Sequence, residues 1–472
     1  MNRKRKRRQP LFDARQQACY PALSVRTYFS RCTCERTKRH MRIYLETLGC
    51  RLNYSEMETL GRELVDVGHY VVPSPEEADI CVLNTCAVTG EAARKSRQLA
   101  RKLARSNPDA RLAVTGCYAT LEPETVAALP NVSLVVENRR KEQLAELLQP
   151  WSAELNGQQW LRLEPEAPAQ SSHRTRAFVK VQDGCNNHCT FCIVTVARGE
   201  ERSRRVADIV DEVRQLAAGG YQEAVLTGVH LGGYGSDLDS NLYELVGTIL
   251  RHTDLPRLRL SSLEPWDLKP EFFDLWRASD NRLCPHLHLP LQAGCDRTLR
   301  RMARRTRTDD FRALVAAARD RIPDLVLTTD MIVGFPGESE SDFQESLHFA
   351  EEMAFAHVHV FPYSARAGTA AASFSGQVPV ETRRQRAAAM EAMARRTGDA
   401  VRQSFVGSLR QVLWESCEQP ANGHGAVWTG LTDNYLRVRA VAPSGIDLDN
   451  RITATRLLGV SGDCLDGEVL SA

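Results

Sequence analysis

Between Lys180 and Cys192 the chain reads KVQDGCNNHCTFC, which sets Cys185, Cys189 and Cys192 at C-x-x-x-C-x-x-C spacing. Three thiolates so spaced, directly after a short apolar strand (Ala177 to Val181), each ligate one iron of a cubane and leave the fourth iron open. An open iron chelates the amino and carboxylate groups of S-adenosylmethionine (SAM), so the loop is an expected site for reductive cleavage of SAM to a 5′-deoxyadenosyl radical. The rival is a structural zinc site. That needs four closed ligands, and the nearest fourth, His188, lies inside the loop beside Cys189.

A second trio, Cys50, Cys86 and Cys117, is dispersed through TLGCRLN, LNTCAVT and VTGCYA. Around it, strand-like runs at 42–48, 80–85, 111–116 and 132–136 alternate with helical spacing over 54–67, 89–105, 121–129 and 140–148. That alternation predicts a doubly wound parallel sheet, an α/β fold whose strand C-termini form the ligand crevice. Each of the three cysteines falls at or just past a strand end, and Gly49 and Gly116 allow close backbone approach. They are therefore expected to converge on a second cluster, with ordinary buried thiols as the alternative. Cys81, at the start of its strand, reads as core.

The first loop resembles the radical SAM motif, whose position before the last cysteine is usually aromatic, as Phe191 is here. From Met41 onward the chain resembles the methylthiotransferases. TLGC-x-x-N and NTC are recurrent words of their N-terminal domain, and GVHLG, SSLEP, HLPLQ-x-G, D-x-IVGFPGE and FPYS follow in the family's order. TGVHLG together with LSSLEP is most similar to the branch acting on N6-threonylcarbamoyladenosine in tRNA. The resemblance implies two 4Fe-4S clusters, SAM, and transfer of a methylthio group to C2 of that nucleoside at position 37, beside the anticodon. Two SAM molecules would be used, one as methyl donor and one as radical source, with sulfur arriving by way of the Cys50/Cys86/Cys117 cluster. An electron donor such as flavodoxin or ferredoxin and a sulfur source are the further partners implied. The nearest alternatives keep the chemistry but act on N6-isopentenyladenosine of tRNA or an aspartate of a ribosomal protein; a metal-stabilised RNA-binding protein is the non-enzymatic one. Cys295 stands where the family commonly has Ser, and reads as a small-residue swap.

The remaining elements must position these groups. Six strand-like runs between 178 and 361, separated by helices, predict a partial, open (βα)6 barrel with its chemistry on the loops at the strands' C-terminal ends. On those loops Gly228, Gly232, Ser262, Glu264, Gln292 and Gly334 are, with Phe191, the candidates for holding SAM. His286 and His288 alternate along one strand and share a face, with no role assigned. Arg297, Arg300, Arg301 and Arg304 form a basic stripe on an expected helix over DRTLRRMARRTRT, and Arg383, Arg384, Arg386, Arg395 and Arg396 a second track on a helix from Glu381 to about Gln403. Either is a solvated face or an RNA-phosphate contact. After Phe405, short strands with Gly-rich turns predict a small β-barrel resembling the TRAM domain, with Trp414, Trp428 and Tyr435 as core aromatics.

The expected boundaries are 1–40, a basic tail or a stretch upstream of a start at Met41; 41–150, the first domain; 151–173, a linker; 174–403, the radical SAM core; and 404–472, the small barrel. The chain's 472 residues and 43% hydrophobic content suffice for several buried cores. No run approaches the roughly 18 apolar residues of a membrane span, and the N-terminus lacks an apolar signal region, so a reducing cytoplasmic setting is expected for the 14 cysteines. Net charge is only +2, although the first eight residues carry six Lys or Arg.

Overall fold

The computed structural model describes residues 40–154, 175–418, 426–442 and 446–470. The expectations for the basic segment before His40, with Cys32 and Cys34, and for the linker beyond Glu154 lie outside the described residues.

The first layer is a five-stranded sheet of β1 (Arg42–Thr47), β2 (Tyr70–Val71), β3 (Ile80–Thr85), β4 (Arg111–Gly116) and β5 (Val132–Val136), in order β2-β1-β3-β4-β5 and all parallel. Its alternating residues feed two cores: Ile80, Val82 and Ala113 pack with Met57, Leu60 and Leu64 on one face, while Cys81, Leu83, Leu112 and Val114 pack with Ala93, Ala100 and Leu103 on the other. Helices cover both faces, as double winding requires. The expected helix over 121–129 is instead two short helices, Cys117–Leu121 and Pro123–Ala127, because Pro123 supplies no N–H to continue the first. The two-residue strand β2 is too short to have left a pattern.

The middle of the chain carries β6 (Arg176–Lys180), a small antiparallel pair β7 (Gln182–Asp183) and β8 (Arg202–Ser203), then β9 (Glu223–Thr227), β10 (Arg257–Leu260), β11 (His286–His288), β12 (Val326–Val333) and β13 (His357–Pro362). Parallel pairing gives two sheets, β6-β9-β10 and β11-β12-β13, joined by single bridges at Leu258–Leu283 and Ser262–His288. The result is the open six-stranded arc. Ala177, Val179, Ala224, Leu226, Leu258, Leu260, Leu327 and Met331 point outward into the main core beneath the surrounding helices. By the two-residue period of a strand, their neighbours Arg176, Glu223, Arg257, Arg259, His286, His288 and Asp330 point inward, so the barrel interior is polar.

The long helix Val380–Ser404 closes against this core through Ala387, Met390 and Met393. The C-terminal barrel comprises β14 (Leu409–Glu418), β15 (Val427–Thr432), β16 (Arg437–Val441), β17 (Ile452–Ser461) and β18 (Cys464–Val469), closed in the order β14-β15-β16-β18-β17. β17 is not among the expected strands, because the positions it buries in alternation, Thr453, Thr455 and Leu457, are mostly polar and leave no apolar period in ITATRLLGVS. Trp414 and Trp428 are core as expected, but Tyr435 is not: it leaves the small barrel at φ +74° and enters the partial barrel, its ring 4.6 Å from that of His286.

Candidate metal centres and the polar barrel between them

The Cys185 loop leaves β7 through Gly184, whose φ of +73° and close approach to the Glu200 carbonyl exclude any side chain. Each sulfur has a nitrogen donor. The backbone N–H of Asn187 points at Cys185 Sγ at 3.4 Å, that of Val194 at Cys192 Sγ at 3.4 Å, and Arg304 Nη1 lies 3.8 Å from Cys189 Sγ. Burial pushes the Cys192 thiol up to about 12, with the neighbouring Cys189 and Cys185 adding to it. Three neighbouring thiols that resist ionisation alone yet are supplied with N–H donors are suited to a bound cationic metal. This donor set fits a three-cysteine cubane.

Cys50, Cys86 and Cys117 follow β1, β3 and β4, which are consecutive in the sheet, and Cys50 and Cys86 flank the point where the strand order reverses. The loops touch: a Cβ on Gly49 would stand 2.8 Å from Cys86 Cβ and 3.1 Å from its Sγ. Gly116, at φ +100°, lies so close to the Thr85 backbone that no side chain is admissible there. Cys86 is pushed up to about 11 by burial, and Cys50 and Cys117 are near enough to raise it further. Asn138 Nδ2 is 3.6 Å from Cys117 Sγ. The structure thus brings the second trio to one edge of the sheet, with Cys86 and Cys117 buried and Cys50 exposed.

A buried ion network joins the two cysteine loops. Arg198, 2% exposed, holds Glu56 and Asp183 at 2.9 Å each and Asn53 Oδ1 at 2.8 Å. Lys141 Nζ reaches Glu56 at 2.6 Å and Asn84 at 3.2 Å. Asn53 and Asn84 belong to the words TLGCRLN and LNTC, and Asp183 precedes Cys185, so one set of charges ties both sites. Sequence reading did not find it, although the polar first turn of the helix Arg51–Asp66, against its apolar Met57, Leu60 and Leu64, was a signal.

The SAM candidates scatter around the barrel mouth. Phe191 packs against the cluster of Ala293, Leu299, Met302, Phe335 and Tyr363. Glu264 accepts from Arg304 Nη2 at 2.5 Å, Ser262 is exposed beside His288, and Gln292 holds φ +72°. Gly228, Gly232 and Gly334 give up their side chains to protein neighbours: the places their Cβ atoms would take border Gln182, Asp267 and Arg383. Close ligand approach is therefore not what those sides provide.

The basic stripes need correction. The first helix stops at Arg301, and Arg304 turns inward to Glu264, Cys189 and the Trp266 ring, where it is buried. Arg386 is likewise buried on Glu338, at 2.9 Å, and Arg383 donates to the Tyr363 carbonyl. Arg297, Arg300, Arg384, Arg395 and Arg396 remain exposed.

His230, in the GVHLG word but given no role from sequence, is pinned between Glu201 and Asp267 at 2.6 Å each. Burial opposes its charge, but the two carboxylates prevail and lift it to about 9. Its stabilising contribution is fully present below the unfolded value of about 6.5 and is lost as pH rises through about 9. The melting-temperature gap between wild type and His230→Gln is accordingly expected to close across that window; an unchanged gap in alkali would contradict the assignment.

Residues 179–350 match the Radical SAM superfamily and residues 42–137 a family described as Uncharacterized protein family UPF0004. The chain is 34% identical over 426 residues to the threonylcarbamoyladenosine tRNA methylthiotransferase MtaB of Bacillus subtilis, covering 88% of this chain and 93% of that one. It is 36% identical over 381 residues to MtaB of Thermotoga maritima, with 79% and 86% covered. The tRNA-2-methylthio-N(6)-dimethylallyladenosine synthase of Acetivibrio thermocellus is 32% identical over 446 residues, with 90% of each covered. Among solved structures, the radical SAM methyltransferase TsrM from Kitasatospora setae, with cobalamin and a 4Fe-4S cluster bound, superimposes with a TM-score of 0.55 at 15% identity over 71% of this chain and 77% of that one. That is a likeness of fold. No helix among the described residues is long and apolar enough to cross a membrane.

Proposed function

The chain belongs to the radical SAM tRNA methylthiotransferases, and from that membership we propose that it methylthiolates C2 of N6-threonylcarbamoyladenosine at position 37 of tRNA, giving the 2-methylthio nucleoside. Cys185, Cys189 and Cys192 would hold the cluster that SAM binds, and Cys50, Cys86 and Cys117 a second one. When bound, the first supplies the electron that cleaves SAM and the second takes part in sulfur delivery. The chain's own residues position both: Arg198 and Glu56 hold the loops in register, Arg304 covers Cys189, and His230 fixes Glu201 and Asp267 beside the Cys185 loop. An aromatic C–H resists polar chemistry, which is why radical abstraction suits this acceptor.

The observation that carries the choice of acceptor is the extended similarity to threonylcarbamoyladenosine methylthiotransferases, 34% and 36% identical, against 32% for the dimethylallyl enzyme. Two SAM molecules, a cytoplasmic setting, a flavodoxin- or ferredoxin-like donor and a separate sulfur source complete the proposal, and the domain boundaries are those of the sequence reading. The test is an anaerobic reaction of reconstituted enzyme with dithionite, SAM and tRNA, followed by nucleoside mass spectrometry. Appearance of the methylthio-threonylcarbamoyl nucleoside is the expected result. Conversion of only the isopentenyl nucleoside would move the chain to the other acceptor.

A further inference from the structure

The interior of the partial barrel gathers four guanidiniums, of which Arg51 alone lacks a carboxylate partner among the described residues. Arg259 is fully buried and forks onto Glu223, Nε to Oε1 at 2.6 Å and Nη2 to Oε2 at 3.0 Å. Arg257 shares the same carboxylate at 3.9 Å, and Arg176 meets Glu415 at 2.5 Å. Arg51 enters from the first domain, half-buried, and its Nη2 donates to the Tyr435 hydroxyl at 2.5 Å. Among the described residues it has no carboxylate partner. The four guanidiniums gather around Glu223 and Glu415, with Asp433 also facing Arg257 and Asp330 facing the same interior, and Arg259 Nη1, wholly buried, has no hydrogen-bond acceptor among the described residues. Although burial pushes it up, the Tyr435 phenol is held below its ordinary value by Arg51, Arg176 and Arg259. His286, stacked on Tyr435, is kept neutral by burial and by Arg259 and Arg51.

Arg51, whose only hydrogen-bond partner among the described residues is the neutral Tyr435 hydroxyl, is free to pair with an anion that arrives. The guanidinium plane matches a carboxylate bidentately. The nucleoside proposed above carries one such group at the end of its N6 substituent, the threonine carboxylate, whereas an isopentenyl substituent is uncharged and apolar. RNA phosphates lie on the backbone and not on the base, so they do not distinguish the two nucleosides. We propose that Arg51, with the buried Arg259 adding to the positive field around it, binds the threonine carboxylate and so selects the threonylcarbamoyl over the isopentenyl nucleoside. Arg51 follows Cys50 directly in the chain, so the group that reads the substituent is tied to the site of sulfur delivery. This rests on the substrate reading above.

The test uses the full-length enzyme with its clusters and three anticodon stem-loop RNAs, one carrying N6-threonylcarbamoyladenosine, one the same nucleoside with its threonine carboxylate as the neutral amide, and one carrying N6-isopentenyladenosine. Wild type should bind the acid roughly 10- to 100-fold more tightly than the amide, the range for a charge-assisted bidentate contact. Arg51→Gln should bring that ratio near one, and Arg51→Lys should restore part of it. The ratio is taken within one preparation, so a fraction of unfolded variant does not alter it. Equal binding of acid and amide by wild type, or an undiminished ratio in Arg51→Gln, overturns the assignment. If wild type modifies the threonylcarbamoyl RNA without preferring the acid, the assignment falls and the substrate reading stands; if it modifies only isopentenyl RNA, both fall.

Discussion

Cys86→Ala is expected to retain about four irons per chain where wild type holds about eight, to go on cleaving SAM, and to make no methylthio product. The reason is geometric. Cys86 is buried at the middle of three consecutive strand ends, with Gly49 packed against it and Ser96 Oγ donating to its carbonyl at 3.0 Å. Neither solvent nor a neighbouring side chain can replace the lost sulfur, and two thiolates do not hold a cubane. The Cys185 loop lies on the partial barrel with its own donors, so SAM cleavage is expected to persist. Cys189→Ala should do the reverse, abolishing SAM cleavage while the second site keeps its iron. Iron analysis, 5′-deoxyadenosine release and nucleoside analysis read the three effects separately. A Cys86→Ala enzyme with full iron or wild-type product would refute the two-site scheme.

Glu56→Gln should destabilise the protein by about 3–5 kcal/mol, the range for removing one partner of a buried ion pair. Glu56 is the only acid within reach of Lys141 among the described ion pairs, and it shares Arg198 with Asp183. Without it two buried cations face a single remaining carboxylate. Burial works against the Glu56 charge, but Arg198, Lys141 and Lys180 overcome that and hold its carboxyl well below the ordinary value. A depressed folded pKa stabilises above the unfolded value of about 4.3 and is lost as pH falls through the folded one. Wild-type stability should therefore decline below that pH, and the Gln variant should start lower and decline less. Chemical denaturation at several pH values decides it; equal stabilities at neutral pH would show the network to be dispensable. Because the same charges brace both cysteine loops, the variant should also lose iron from the Cys50 site more readily.

What could be read from the chain alone followed from local rules. Ligand spacing within the Cys185 loop is set by a few residues, and the strands ICVLNT, RLAVTG and VSLVV coincide with those found because short apolar runs bounded by turns need no distant information. The second cysteine trio was legible by one further step, since a parallel sheet places strand C-termini along one edge. The partners of charges were not. Arg198 meets Glu56 across 142 residues of sequence, and Arg51 meets Tyr435 across 384. In RLRL nothing marks the arginines as barrel-facing, because an alternating strand reads the same whether its polar face meets water or the inside of another layer. Arg304 carried the same periodicity as its exposed neighbours until the helix ended at Arg301 and turned it toward Cys189. Sequence by itself marked which cysteines are candidates for metal and in what order the elements run; only the packing of the parallel sheet, the partial barrel and the small barrel against one another decided which charges are buried together, since burial is a property of surfaces brought into contact and not of any stretch of chain.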